Sequence, residues 1–217
     1  MSLDHSPSIV TDGLVLHLDA ASPKSYPRTG ASWYDRSPNE NHATLVNSPT
    51  FNSDNGGSIV TNGINNSISS LYLSSVPLID LTIQLWVYPT NIGSGSGYMA
   101  VFDTINRHLS LWIGNQYYGI GGTTNSYNGL FNWQNNNWVC ITMLKSSNTG
   151  ILLKNNYEVS TSFSAGSTFT NQLQFGSNPS GGSSFAGRYA NIKLYNRALT
   201  RDEISKNFNA IKSRFNL

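Results

Sequence analysis

Apolar and polar residues alternate along several short stretches of this chain. Leu14, Leu16, Leu18 and Ala20 are interleaved with Val15, His17 and Asp19. The same period of two recurs at Leu81, Ile83, Leu85 and Val87, at Leu109, Leu111 and Ile113, at Val139, Ile141 and Met143, and at Ile192 and Leu194. Successive side chains of a strand point to opposite faces, so each stretch predicts a strand with one face on a core. Turn-forming clusters separate them: Asp54-Asn55-Gly56-Gly57, Asn62-Gly63, the Gly/Ser run 93–97, Asn148-Thr149-Gly150 and Asn178-Pro179-Ser180-Gly181-Gly182. Short strands between Gly-rich turns predict an all-β chain, a two-sheet antiparallel β-sandwich or jelly roll.

One segment departs from this pattern. Thr200 can cap the free amides of a helix while Glu203 reaches back to it, and Ile204, Phe208, Ile211 and Phe215 then form a single apolar stripe. The spacing predicts a short C-terminal helix over 200–215, docked on the sandwich. With no repeat and no composition shift, residues 1–217 are expected to form one domain, preceded by an N-terminal arm at 1–10.

Composition narrows the class. A chain of 217 residues can bury roughly 70% of its unfolded surface, so it needs no disulfide or metal to fold. The lone Cys140 permits neither an internal disulfide nor a cysteine zinc site. Only 11% of residues are charged, against about 25% in an ordinary protein, while amides and hydroxyls abound. Such a surface suits sugars or other proteins. The net charge of +2, with no Lys/Arg run, argues against nucleic acid. No apolar run reaches the ~18 residues of a membrane span, and no signal peptide is visible at the start.

The order of features resembles the laminin-G-like jelly roll of the concanavalin A-like lectin and glucanase superfamily. The resemblance rests on GLVLHLDAAS (13–22), WYDRSPNENHATL (33–45), LTIQLWVYP (81–89), NNWVCITM (136–143) and FAGRYANIKLYNRALTRDEISKNFNA (185–210). It implies two antiparallel sheets packed face to face, with the first and last strands side by side. The closing stretch also resembles modules of tailed-bacteriophage structural proteins. Extracellular or virion-surface location is the corresponding expectation.

Candidate chemistry is sparse. Glucanases of the superfamily carry closely spaced acids on one strand, because retaining hydrolysis needs two carboxyl groups about 5 Å apart. Here Glu40, Glu158 and Glu203 stand without an acidic neighbour at that spacing, so a non-enzyme is expected. His5, His17, His42 and His108 fall in unrelated segments, and Cys140 reads as an inert packing thiol.

Related domains hold calcium at the sandwich rim, and the resemblance implies a metal site at Asp35 and Asn39, helped by Asn41, with Asp103 after a central strand. The alternative is that Asp35 and Asn39 brace turns. For sugar binding the richest stretch is 116–134, where Tyr117, Tyr118, Tyr127 and Trp133 alternate with amides; Trp133 could equally pack the core. The expected partner is a glycan or surface protein. The expected function is a non-catalytic recognition module for carbohydrate binding and adhesion. The alternative is a virion structural or decoration protein that assembles into a larger virion or multidomain protein.

Overall fold

The computed structural model describes residues 8–72, 80–92, 99–104, 109–113, 117–120, 123–126, 133–158, 163–164, 172–179 and 183–217, with the strand path alone at 71–72, 117–120, 123–126, 158 and 163–164. The Gly-rich runs 93–97 and 180–182 lie outside the described residues.

The strands run in chain order as β1 (Leu14–Asp19), β2 (Ser32–Trp33), β3 (Ala43–Val46), β4 (Thr50–Asn52), β5 (Ser58–Asn62), β6 (Ser67–Tyr72), β7 (Leu81–Pro89), β8 (Met99–Asp103) and β9 (Leu109–Ile113). There follow β10 (Tyr117–Ile120), β11 (Thr123–Ser126), β12 (Val139–Ser146), β13 (Thr149–Lys154), β14 (Tyr157–Glu158), β15 (Phe163–Ser164), β16 (Gln172–Phe175) and β17 (Ala186–Tyr195). One sheet has the order β14-β13-β12-β7-β17-β5-β4, with β1 also on β17 and β15 on β13; the other runs β11-β10-β9-β8-β16-β6-β3-β2. All strand pairs within both sheets are antiparallel. The first and last strands lie side by side, Leu16 opposite Leu194 and Leu18 opposite Ile192.

The alternating apolar positions meet between the sheets. Leu85, Ile141 and Ile192 from one face Leu111, Phe102 and Phe175 from the other, all fully buried. Tyr189 crosses this core, and its hydroxyl donates to the Val101 carbonyl at 2.6 Å, linking β17 to the opposite sheet. A buried phenol needs such a partner. Leu14 departs from the expected alternation. The register of β1 shifts between Leu14 and Leu16, so Val15 joins the main core while Leu14 turns to the outer face. An extra residue in one strand of a pair has this effect on everything before it.

The outer face of the nine-stranded sheet is covered in turn. Helix α1 (Arg201–Ile211) begins with the expected capping box: the Glu203 amide donates to Thr200 Oγ1 and the Thr200 amide to the Glu203 carboxylate. Arg197 fixes the same carboxylate with two bonds of 2.6 and 2.8 Å, which hold the Glu203 pKa down at about 2. The helix gives way to a 3₁₀ turn at Lys212–Phe215. Ile204 packs with Leu14, Leu144 and Tyr195, while Phe208 and Phe215 stack on Trp86 at centroid distances of 5.4 and 4.4 Å. Replacing Thr200 with Ala should lower unfolding free energy by about 0.5–2 kcal/mol in a denaturant titration. An unchanged midpoint would show that the Arg197–Glu203 pair alone sets the helix start.

Between those two apolar clusters lies a buried polar seam. Thr142, Gln84 and Lys193 stand opposite one another on β12, β7 and β17, each almost without exposure. The Lys193 ammonium donates to Asn191 Oδ1, and Gln84 Nε2 donates to Thr142 Oγ1 at 3.0 Å. Burial pushes the Lys193 pKa down to about 8 and the Cys140 thiol up to about 12.

Candidate functional site

The stretch Trp133-Gln134-Asn135-Asn136-Asn137-Trp138 leads into β12, and one backbone and one side-chain contact pin it to the end of β7 and the residues just after it. The Asn136 amide donates to the Pro89 carbonyl at 2.8 Å, and Asn135 Oδ1 accepts from the Ile92 amide at 2.6 Å. Asn136 has φ 60°, a left-handed conformation that asparagine tolerates better than most residues. The two tryptophans thereby diverge. Trp133 packs partly buried against the main core. Trp138 leans on the helix cluster, 4.6 Å from the Phe215 ring and 5.3 Å from Tyr88, with its Nε1 donating to Asn55 Oδ1 at 3.0 Å.

A cleft of about 200 Å³ is lined by Trp133 and Trp138, by Gln134, Asn137 and Asn155, and by Lys154. Asn155 is held in place because its Oδ1 accepts from the Cys140 amide at 2.8 Å. Partial burial lowers the Lys154 pKa. Ring faces supply contact area at small entropic cost, and amides offer both donors and acceptors, the combination a polyhydroxyl ligand needs. Among the described residues no acidic side chain lines the cleft.

Of the four aromatic residues expected from sequence, Trp133 is the one whose side chain is described; its cleft neighbours are Gln134, Asn137, Trp138 and Val139 of its own segment and Lys154, Asn155 and Leu217 from farther along the chain. Tyr117 and Tyr118 lie in β10, opposite Ser126 and Leu111 respectively, with their side chains outside the description. Tyr127 lies outside the described residues altogether. Sequence reasoning grouped Trp133 with these tyrosines and missed Trp138 and Asn155 as its companions. The signal available was the Lys154-Asn155-Asn156-Tyr157 hairpin turn, which brings the β13–β14 end beside β12.

Of the expected metal residues, Asp35, Asn39 and Asn41 share one turn, and Asp103 lies on another strand. Asp35 is buried, and its Oδ1 accepts from the His17 and Ser37 amides at 2.7 and 2.8 Å, while Oδ2 accepts from Ser37 Oγ and the Asn41 amide at 2.6 and 2.9 Å. Asn39 Nδ2 donates to the Leu14 carbonyl at 3.2 Å. The Asp35 carboxylate accepts from four N–H and O–H donors, the arrangement of a braced turn. Asp103 ends β8, four strand positions from β2, or about 19 Å at the usual strand spacing. Its Oδ1 accepts from the Thr104 amide at 2.7 Å. Calcium at about 10 mM, above the usual ~10⁻⁴–10⁻³ M dissociation constants of extracellular sites, should leave the melting temperature unchanged relative to chelator. A calcium-dependent rise of several degrees would overturn this view of the loop.

His17, on β1, is partly covered under the same turn. Desolvation, then the Lys193 charge, lower its pKa to about 4, so it is neutral at pH 7.

A sandwich of this topology with a helix on its outer face defines a class, and residues 55–205 match the laminin-G-like model of that class. The chain belongs to the concanavalin A-like lectin/glucanases superfamily. No curated protein sequence matches it. Among solved structures it is similar to botulinum neurotoxin type C, with 11% identity and a TM-score of 0.68 over 93% of this chain and 52% of that one. It is similar to domain 4 of an extracellular arabinanase from Geobacillus stearothermophilus, with 13% identity and a TM-score of 0.68 over 93% and 100%. It is also similar to the Trypanosoma rangeli sialidase, with 16% identity and a TM-score of 0.66 over 95% and 34%. This chain thus spans about half the length of the neurotoxin structure and about a third of the sialidase. At these identities the likeness shows the fold.

Proposed function

We propose that this chain is a non-catalytic carbohydrate-binding module, acting outside the cell or on a virion surface. The observation that carries the proposal is the cleft lined by Trp133 and Trp138 together with Gln134, Asn137 and Asn155. The similar structures add support. Cell entry of the neurotoxin depends on two ganglioside molecules, the arabinanase domain was solved with arabinotriose, and the sialidase with sialic acid. The non-catalytic reading is supported by the absence of acid from the cleft lining among the described residues and by the use of Glu203 in the helix cap and the Arg197 pair. Glycoside hydrolysis requires two carboxyl groups flanking the bond that breaks.

A library of immobilised glycans tests the proposal. Wild-type protein should be retained on at least one glycan class, and Trp133→Ala should lose that retention, with a thermal melt verifying that the variant is still folded at the assay temperature. Retention of no glycan by the wild type, together with concentration-dependent self-association in light scattering, would favour assembly through protein contacts instead.

A further inference from the structure

The Trp133–Trp138 cleft does not end at Asn155. A second cavity of about 410 Å³ lies beyond it, sharing Asn155 and Leu217 as lining, and is further lined by Asn156, Tyr157, Phe208, Asn209 and Lys212. One side of this cavity is the turn between β13 and β14. The other is the end of α1 and the 3₁₀ turn after it. The groove therefore exists only because the helix is docked on the sheet.

We propose that the two cavities are subsites of one groove that binds a linear oligosaccharide, with the Tyr157 ring as the stacking platform of the outer subsite. This rests on the carbohydrate-binding reading given above.

Three features support it. First, Tyr157 is 78% exposed, the most exposed large apolar or aromatic side chain among the described residues, and the backbone holds it there. Lys154 and Tyr157 are directly paired across a two-residue turn whose members, Asn155 and Asn156, have φ of 47° and 71°. Two consecutive positive φ values define the tight hairpin turn that matches strand twist, so the ring projects from a fixed corner rather than a loose loop.

Second, the corner is fastened on both sides. Asn155 Oδ1 accepts from the Cys140 amide at 2.8 Å, and Asn156 Nδ2 donates to Ser205 Oγ on α1 at 2.9 Å. The Lys212 ammonium sits 5.7 Å from the centre of the Phe208 ring, which holds a donor at the far wall. A surface already in its bound shape loses less entropy when a ligand arrives.

Third, size and chemistry agree. The inner cavity alone is smaller than the roughly 300 Å³ at which small-molecule sites usually begin, whereas the outer one falls within that range. A ligand using both must be longer than one ring. Among the described residues neither cavity has an acidic lining residue, and both present amides, a lysine and aromatic residues in succession. A chain of sugars repeats the same two demands, a face to stack on and hydroxyls to hydrogen-bond, at each unit.

The test takes the glycan retained from the immobilised library and its truncation series from monosaccharide to hexasaccharide. Each is titrated by calorimetry into wild type, Trp133→Ala, Tyr157→Ala and Tyr157→Phe. Wild-type affinity should grow by roughly tenfold when the chain becomes long enough to reach the outer subsite, the scale of one added aromatic stacking contact. Tyr157→Ala should lose that gain and bind the short members as the wild type does; Tyr157→Phe should keep it; Trp133→Ala should weaken every member. Tyr157 is exposed, so its variants are expected to fold normally, as a thermal melt will verify. If affinity stops growing at the disaccharide, or Tyr157→Ala retains the full gain, the two-subsite groove is wrong while the carbohydrate-binding reading stands. If the wild type binds no glycan in the library, both fall.

Discussion

Truncation after Leu199 should leave a chain that aggregates and shows no cooperative thermal transition. The reason lies in what α1 and its 3₁₀ turn cover. Ile204, Phe208 and Phe215 are buried, and each such side chain contributes about 1.5–3 kcal/mol by leaving water. Their loss also uncovers Trp86, Leu144, Leu153 and Tyr195, which the sheet alone cannot shield. The seam of Thr142, Gln84 and Lys193 would open to water at the same time. Asn207 adds a polar fastening, its Oδ1 accepting from the Val10 amide at 2.8 Å and its Nδ2 donating to the Tyr195 hydroxyl at 2.9 Å. A loss of this size approaches the ~5–15 kcal/mol that holds a typical domain together. A soluble truncated protein with an unchanged melting temperature would show that the helix is not part of the folded unit.

The second large effect concerns Lys193 and alkaline pH. Burial lowers its folded pKa from 10.5 to about 8, with the nearby Arg214 charge acting in the same direction and Asp19 and Cys140 opposing. The unfolded chain therefore holds this proton more tightly than the folded one. Below pH 8 the lysine is charged in both states and the destabilisation is fully present; it is relieved as pH rises from about 8 towards 10.5. The shift corresponds to about 3 kcal/mol. Cys140 works the other way, because burial holds its folded pKa at about 12, above the ordinary thiol value of about 9, so stability falls from about pH 9 upward. Tyr189 and Tyr195, whose pKa values burial also raises, add to that fall above pH 10. Denaturant titrations should thus show stability climbing between pH 8 and 9 and declining beyond 10. Lys193→Met should remove the climb and be at least as stable as wild type at pH 7, since replacing a buried charge with an apolar side chain of similar volume is often neutral or stabilising. A variant that retains the climb would show that another group causes it.

Much of the fold was legible because its signals are local. The alternation at Leu81–Val87 and Val139–Met143 survives unchanged as two central paired strands, and Thr200 with Glu203 caps the helix as the four-residue pattern indicates. Signals that depend on partners far along the chain were not. A shift of pairing moved Leu14 off the core face, and nothing between residues 14 and 20 announces it. Lys193 occupies the outer position of an alternating strand and reads as solvated until α1 is laid over it. The candidate site shows the same limit. Trp133 was visible as an aromatic among amides, and Trp138 lies only five residues on, but Asn155 and Leu217 join them only through the β12–β13–β14 pairing and the docking of the C-terminal turn.

The central claim, that sugars bind between Trp133 and Trp138, is tested most directly through the indole N–H resonances of the five tryptophans in a proton–nitrogen correlation spectrum. Titration with the retained glycan should shift the Trp133 and Trp138 signals progressively and leave those of the fully buried Trp33 and Trp86 in place. Shifts confined to the backbone of β10 and β11, with the Trp133 and Trp138 indoles unmoved at saturation, would contradict the account and assign binding to the far edge of the eight-stranded sheet.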